Sequence, residues 1–161
     1  MGKFNFKDGE DFEQVSKTAE EFYASIGEAN CPYFGEEIAF NSAGFKHLKF
    51  KSDQVARPLS EQYARLKLLT LAPRVISLSR TVQGISHTKH FERIRMHSRT
   101  DTILKPVSYY EFIAVLENLR VKVVVKQIDG GRKFFWSIIP FWKIDTGNSR
   151  RILHSGNLEH D

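Results

Sequence analysis

The chain has 161 residues, 41% hydrophobic and 12% aromatic, which is enough to bury one domain's core and excludes general disorder. Its formal net charge is +5 at pH 7, and no apolar run approaches the ~18 residues of a membrane span. Cys31 is the only cysteine, so an internal disulfide and a cysteine-based zinc cluster are excluded, and a reducing, cytoplasmic setting is expected.

The N-terminus, MGKFNFKDGEDF, lacks an apolar signal core and is too acidic for a transit peptide. Residue 6 is Phe where myristoylation needs Ser or Thr. The charge is unevenly spread. Residues 1–37 hold three Lys and nine Asp or Glu, a net of −6. Residues 38–161 hold 21 Lys or Arg and ten Asp or Glu, a net of +11. A basic body suits a polyanion such as RNA or DNA, although it also describes a generic basic surface.

Residues 10–28 place Phe12, Val15, Ala19, Phe22, Tyr23 and Ile26 at helical spacing, with Gly27 to end the helix. Cys31 precedes Pro32 in a loop and reads as an inert thiol. Ile38 to Phe40 is short and extended. Asn41 or Ser42 can cap a following short helix, on which Phe45 and Leu48 share a face. His47 and Lys51 share another face if the helix lasts that long. Gly44 weakens this helix.

Arg57-Pro58 opens a longer helix with Glu61 in its first turn. Leu59, Tyr63, Leu66 and Leu69 form its buried stripe. Arg57, Glu61 and Arg65 recur every four residues on a different face. The helix is expected to stop before Pro73, and Arg74 to Leu78 suits a strand or a second short helix.

Residues 80–106 lack periodicity and read as a long, basic, exposed excursion with room for one strand. His87, His90 and His97 lie here without Asp or Glu at ligand spacing, so no metal site is expected. The remainder is β. Tyr109 to Leu116 forms one strand, and Arg120 to Ile128 a second with Lys122 and Lys126 on one face. Asp129-Gly130-Gly131 is a hairpin turn. Lys133 to Ile139 returns as a third strand, and Phe141 to Ile144 suits a short further one. Strict alternation puts Trp136 opposite Ser137. Asp145 onward is a polar tail.

Four phrases, IAFNSAGFKHL, EQYARLKLLTLAPRVI, FIAVLENLRVKVVVKQIDGG and FFWSIIPFW, together resemble the barnase–EndoU–colicin–RelE (BECR) superfamily of small ribonucleases. The resemblance is strongest to its phage and mobile-element branch and covers roughly residues 36–144. It leaves residues 1–35 as an acidic helical appendage and 145–161 as a tail within a single domain, 1–161. It implies an α+β fold, with N-terminal helices on one face of a roughly four-stranded antiparallel sheet. It also implies metal-free, cofactor-free RNA cleavage by 2′-hydroxyl attack, giving a cyclic phosphate. Many members are toxins, so an acidic antitoxin or immunity protein is an implied partner. No membrane partner is expected.

That reaction needs a base, an acid and cations around the phosphorane. Histidine suits proton transfer, Arg binds phosphate bidentately, and Lys binds it as a point charge. His47 is the first candidate for acid or base. Arg57, Arg65 and Lys51 are candidates for phosphate contact, and Ser137 for a hydrogen bond to it. Glu61 could orient His47 or act as base, but arginines on both sides would lower its pKa and weaken it as a base. Lys46, Lys49, Lys122, Lys126, Tyr109 and Trp136 are candidates for binding RNA, Trp136 also reading as core. The alternative is a non-catalytic nucleic-acid-binding or adaptor protein on the same fold.

Overall fold

A computed structural model of the protein describes residues 11–52, 54–140 and 157–161. Helix α1 spans Phe12–Ile26. Asp11 caps it, accepting from the Glu13 amide at 3.0 Å, and Gly27 ends it at φ +66°. Strands β1 (Glu28–Cys31) and β2 (Glu36–Ala39) then form a small antiparallel hairpin. The Asn41 side chain accepts from Gly44 N at 3.2 Å and starts α2 (Ser42–Lys49). Strands β3 (Phe50–Ser52) and β4 (Val55–Ala56) make a two-stranded ribbon.

Helix α3 (Leu59–Leu68) follows Pro58, passes into a short 3-10 turn (Leu69–Leu71), and gives way to α4 (Ala72–Leu78) with Pro73 in its first turn. Four strands complete the order: β5 (Gly84–Met96), β6 (Arg99–Leu116), β7 (Leu119–Ile128) and β8 (Phe134–Pro140).

The main sheet runs β1-β2-β8-β7-β6-β5 and is antiparallel except where β2 meets β8 in parallel. The α+β class holds, but the sheet has six strands among the described residues instead of four. Two pairings account for the difference. The Ala39 amide bonds the Lys133 carbonyl at 3.2 Å, which adds β1 and β2 beside β8. Residues 84–96 pair with β6 along their whole length, so the expected excursion is a long β hairpin. Its tip, His97-Ser98, has both residues at positive φ, as does Glu117-Asn118 between β6 and β7.

The larger core lies between the helices and one sheet face, around Tyr23, Ile38, Leu48, Leu66, Ile76, Phe112 and Phe135. α1 belongs to it, through Ala19 and Tyr23. Leu59 departs from its expected buried stripe: it is 59% exposed at the start of α3, while Tyr63, Leu66 and Leu69 are buried. A smaller cluster on the other face joins Val107, Tyr109, Val124, Phe134 and Trp136.

α2 lies directly on β8. A Cβ at Gly44 would overlap the Phe135 carbonyl oxygen, so a glycine that weakens the helix is what lets it dock. This contact brings His47 to β8, and α3, which also packs on β8, brings Arg65 there. Among the described residues, no helix is long and apolar enough to cross a membrane. The expected strand at 141–144 and the residues Arg150, Arg151 and His154 lie outside the described residues.

Candidate nucleic-acid interface

The site forms where α2, the start of α3 and the smaller-cluster face of β7 and β8 meet. His47 is 4% exposed, and its ring stacks on Trp136 at 3.9 Å between centroids and 17° between planes. The Arg57 guanidinium grips it twice. Nε donates to the His47 carbonyl at 3.0 Å, and Nη2 donates to His47 Nε2 at 3.0 Å. Guanidinium can only donate, so Nε2 is the bare acceptor nitrogen and the proton sits on Nδ1. Burial, reinforced by Arg57, Arg65 and Lys126, pushes the His47 pKa down to about 2. In this arrangement the imidazole is neutral at physiological pH.

Arg57 is 3% exposed and Arg65 1%. Arg57 and Glu61 form a loose i, i+4 pair at 3.9 Å, with no bond from Glu61 to His47. Arg65 Nη1 donates to Ser137 Oγ at 2.6 Å and to the Asp161 main-chain oxygen. Burial lowers the Arg65 pKa to about 9, with the neighbouring Arg57 adding to the effect. Two guanidinium groups are thus crowded beneath one surface, an arrangement that favours an anion above them.

The sheet supplies the rest. Lys122 Nζ lies 3.1 Å from Glu111 and 3.9 Å from Asp161 Oδ2. Lys126 Nζ lies 4.0 Å from the Trp136 ring centroid and between two carboxylates, Glu159 at 3.0 Å and Glu92 at 3.6 Å. Burial lowers the Lys126 pKa. Tyr109 is 1% exposed, and its hydroxyl has no hydrogen-bond partner among the described residues. Tyr110 points the other way and packs edge-on against Phe34 at 4.7 Å.

Strict alternation fails at Trp136. Val125 pairs with Phe135 and Val124 with Ser137, so β8 carries one extra residue between them. This bulge brings Trp136 and Ser137 to the same site. Trp136 Nε1 donates to the Leu158 and Glu159 carbonyls at 3.2 and 3.3 Å, and Ser137 Oγ donates to the Asp161 carbonyl at 2.6 Å. Trp136 therefore contacts the site while remaining buried.

The lysines around His47 also differ from expectation. α2 ends at Lys49, so helical phase does not join Lys51 to His47. Lys51, on β3, nevertheless lines the same open cleft of about 600 Å³ as Lys46, His47, Lys126 and Trp136. Lys49 instead lies over the Phe45 ring at 5.2 Å. The far wall of the cleft comes from the β5–β6 hairpin, through Phe91, Glu92, Arg93 and Thr102. The hairpin histidines serve other ends: His87 bonds Ser108 at 2.8 Å and His90 stands edge-on to Tyr109.

Sequence reasoning missed the acids that meet these cations: Glu92, Glu111, Glu159 and Asp161. Glu92 and Glu111 become visible only with the strand register. Glu159 and Asp161 carried a signal, since NLEHD is an acidic end to a basic body. No family model, curated protein or solved structure matches the chain.

Proposed function

We propose that this protein is a metal-independent endoribonuclease, toxin-like and of phage or mobile-element type, acting in the cytoplasm. The observation that carries this reading is the linked, buried cluster of Arg57, Arg65, Lys122 and Ser137 next to His47 and Lys126, the two members that line one open cleft. The four buried cations there are held by main-chain oxygens and carboxylates, acceptors of the kind that phosphate oxygens can replace.

In this reading an RNA phosphate lies over Arg57 and Arg65, which neutralise the phosphorane. Drawing Arg57 to the phosphate frees His47 Nε2, which takes the 2′-hydroxyl proton. Burial and the surrounding cations keep the imidazole neutral, which rules out the acid role at the start. The withdrawal of Arg57 and the arriving phosphate's negative charge raise its pKa from about 2 towards the range a base needs. The 2′-oxygen bonds to phosphorus, the bond to the 5′-oxygen breaks, and a buried ammonium of lowered pKa, Lys126, supplies the leaving group's proton. The products are a 2′,3′-cyclic phosphate and a 5′-hydroxyl. Trp136 and Tyr109 provide aromatic surface for a base. An acidic antitoxin or immunity protein would complement the basic body.

One observation favours a second reading, non-catalytic nucleic-acid binding: Arg57 already occupies the basic nitrogen of His47. Incubation with total RNA in EDTA separates the two. Cyclic-phosphate fragment ends, lost in His47→Ala, are expected. Intact RNA that remains bound would leave only the binding reading.

A further inference from the structure

Donors of Arg57, Arg65, Trp136 and Ser137 are all engaged by one short stretch of the same chain. Arg57 Nη2 donates to the His160 carbonyl at 2.8 Å, and Arg65 Nη1 and Ser137 Oγ to that of Asp161. Trp136 donates to Leu158 and Glu159. The Glu159 carboxylate pairs with Lys126, and the Asp161 carboxylate faces Lys122 at 3.9 Å. Residues 157–161 thus present main-chain oxygens and two carboxylates where a polyanion would present phosphate oxygens.

We infer that Asn157–Asp161 is a displaceable internal pseudo-ligand of the cation site, an acidic strap that must leave before a nucleic acid reaches Arg57, Arg65 and Ser137. The inference rests on the polyanion-binding reading above and adds its regulation. Three observations make the strap displaceable.

Its internal order is a single turn, with the His160 and Asp161 amides both bonding the Asn157 carbonyl at 3.0 and 2.9 Å, and it pairs with no strand. Its apolar anchorage is Leu158, half-buried against the Trp136 cluster. Its fit is imperfect. Glu159 shares Lys126 with the like-charged Glu92, burial and that neighbour push its carboxyl pKa up to about 8, and the Tyr109 hydroxyl stays unsatisfied among the described residues. A phosphodiester carries a permanent negative charge on two non-bridging oxygens and has no apolar side chain to seat.

Leu158→Asp in the full chain is the decisive variant. It adds a negative charge, which by itself weakens nucleic-acid binding, yet it removes the strap's apolar anchor. A short fluorescent oligodeoxynucleotide is the probe, because it lacks the 2′-hydroxyl that the proposed cleavage needs. The variant is expected to bind it about tenfold more tightly than the wild type at the same salt. In the wild type, saturating oligodeoxynucleotide is expected to speed hydrogen exchange across residues 157–161.

Equal or weaker binding by a cooperatively folded variant, or slower exchange across the strap, overturns the inference. If Leu158→Asp does not fold, Leu158→Ala is read by the same rule, with about threefold tightening expected. Tighter oligonucleotide binding without cleavage of the matching RNA upholds the strap and removes the ribonuclease reading.

Discussion

The protein carries two sets of cations and treats them in opposite ways. In the site, Arg57, Arg65, Lys122 and Lys126 are 0–3% exposed, and each meets protein oxygen. On the β5–β6 hairpin, Lys89, Arg93, Arg95 and Arg99 stand in solvent around an exposed Phe91. Arg99 keeps 80% of its side chain exposed even while paired with Asp101. The first set is preorganised, with its desolvation already met by folding. The second is free to track a flexible backbone. Charge alone, read along the sequence, cannot separate these uses, because the distinction lies in what each cation is packed against.

The comparison is sharpest in stability. Arg65→Ala removes a fully buried guanidinium and leaves a void beside Ser137, so a loss of about 3 kcal/mol is expected in urea unfolding. Arg93→Ala on the hairpin is expected to stay within about 0.5 kcal/mol. Equal losses would break the distinction.

A smaller effect should appear with pH. His47 is held at about 2, below its usual 6.5. The unfolded chain therefore binds a proton between these values that the folded chain refuses. The stabilisation is complete above about pH 6.5 and is lost as pH falls towards 2, amounting to about 2 kcal/mol lost at pH 5. Unfolding of the wild type and His47→Gln at pH 7.5 and 5 isolates this term, since other groups titrate alike in both. An equal drop in the two proteins would mean that the imidazole accepts a proton in the fold.

The smallest expected effect is on binding. Arg93→Ala with Arg95→Ala should weaken RNA binding several-fold and flatten its salt dependence by roughly 0.7 per lost contact to a single strand. Binding measured across a salt series checks this. An unchanged slope would make the hairpin cations solvating only.

Much of the fold was legible in the sequence. The 3.6-residue spacing of Val15, Ala19 and Phe22 marks α1, and the alternation of Val121, Val123 and Val125 marks β7. Asp129-Gly130 announces its turn by composition. His97-Ser98 makes an equivalent turn without Gly, Asn or Asp, so the longest hairpin carried no turn signal. The strands EANC and EEIA are too short for alternation to register.

In the site, Arg57, Arg65, Lys122, Lys126 and Ser137 were legible as charge and phase. Trp136 was a candidate too, but its place on the same face as Ser137 was not legible, because a bulge is an exception to the period that a reader relies on. Glu61 keeps its arginine partner, as the spacing of four suggests. The pairing of Arg57 with His160, 103 positions away, has no local trace.

The pairing of α3 with β8 also sets an order of events on the ribosome. Arg65 is synthesised 72 residues before Ser137, its partner across the site. At typical elongation rates that interval lasts about 4 to 14 seconds. During it the nascent chain holds its guanidinium groups without the strand that seats them. The cleft therefore cannot assemble until β8 has been made. The stretch that fills the cleft, residues 157–161, arrives only after both.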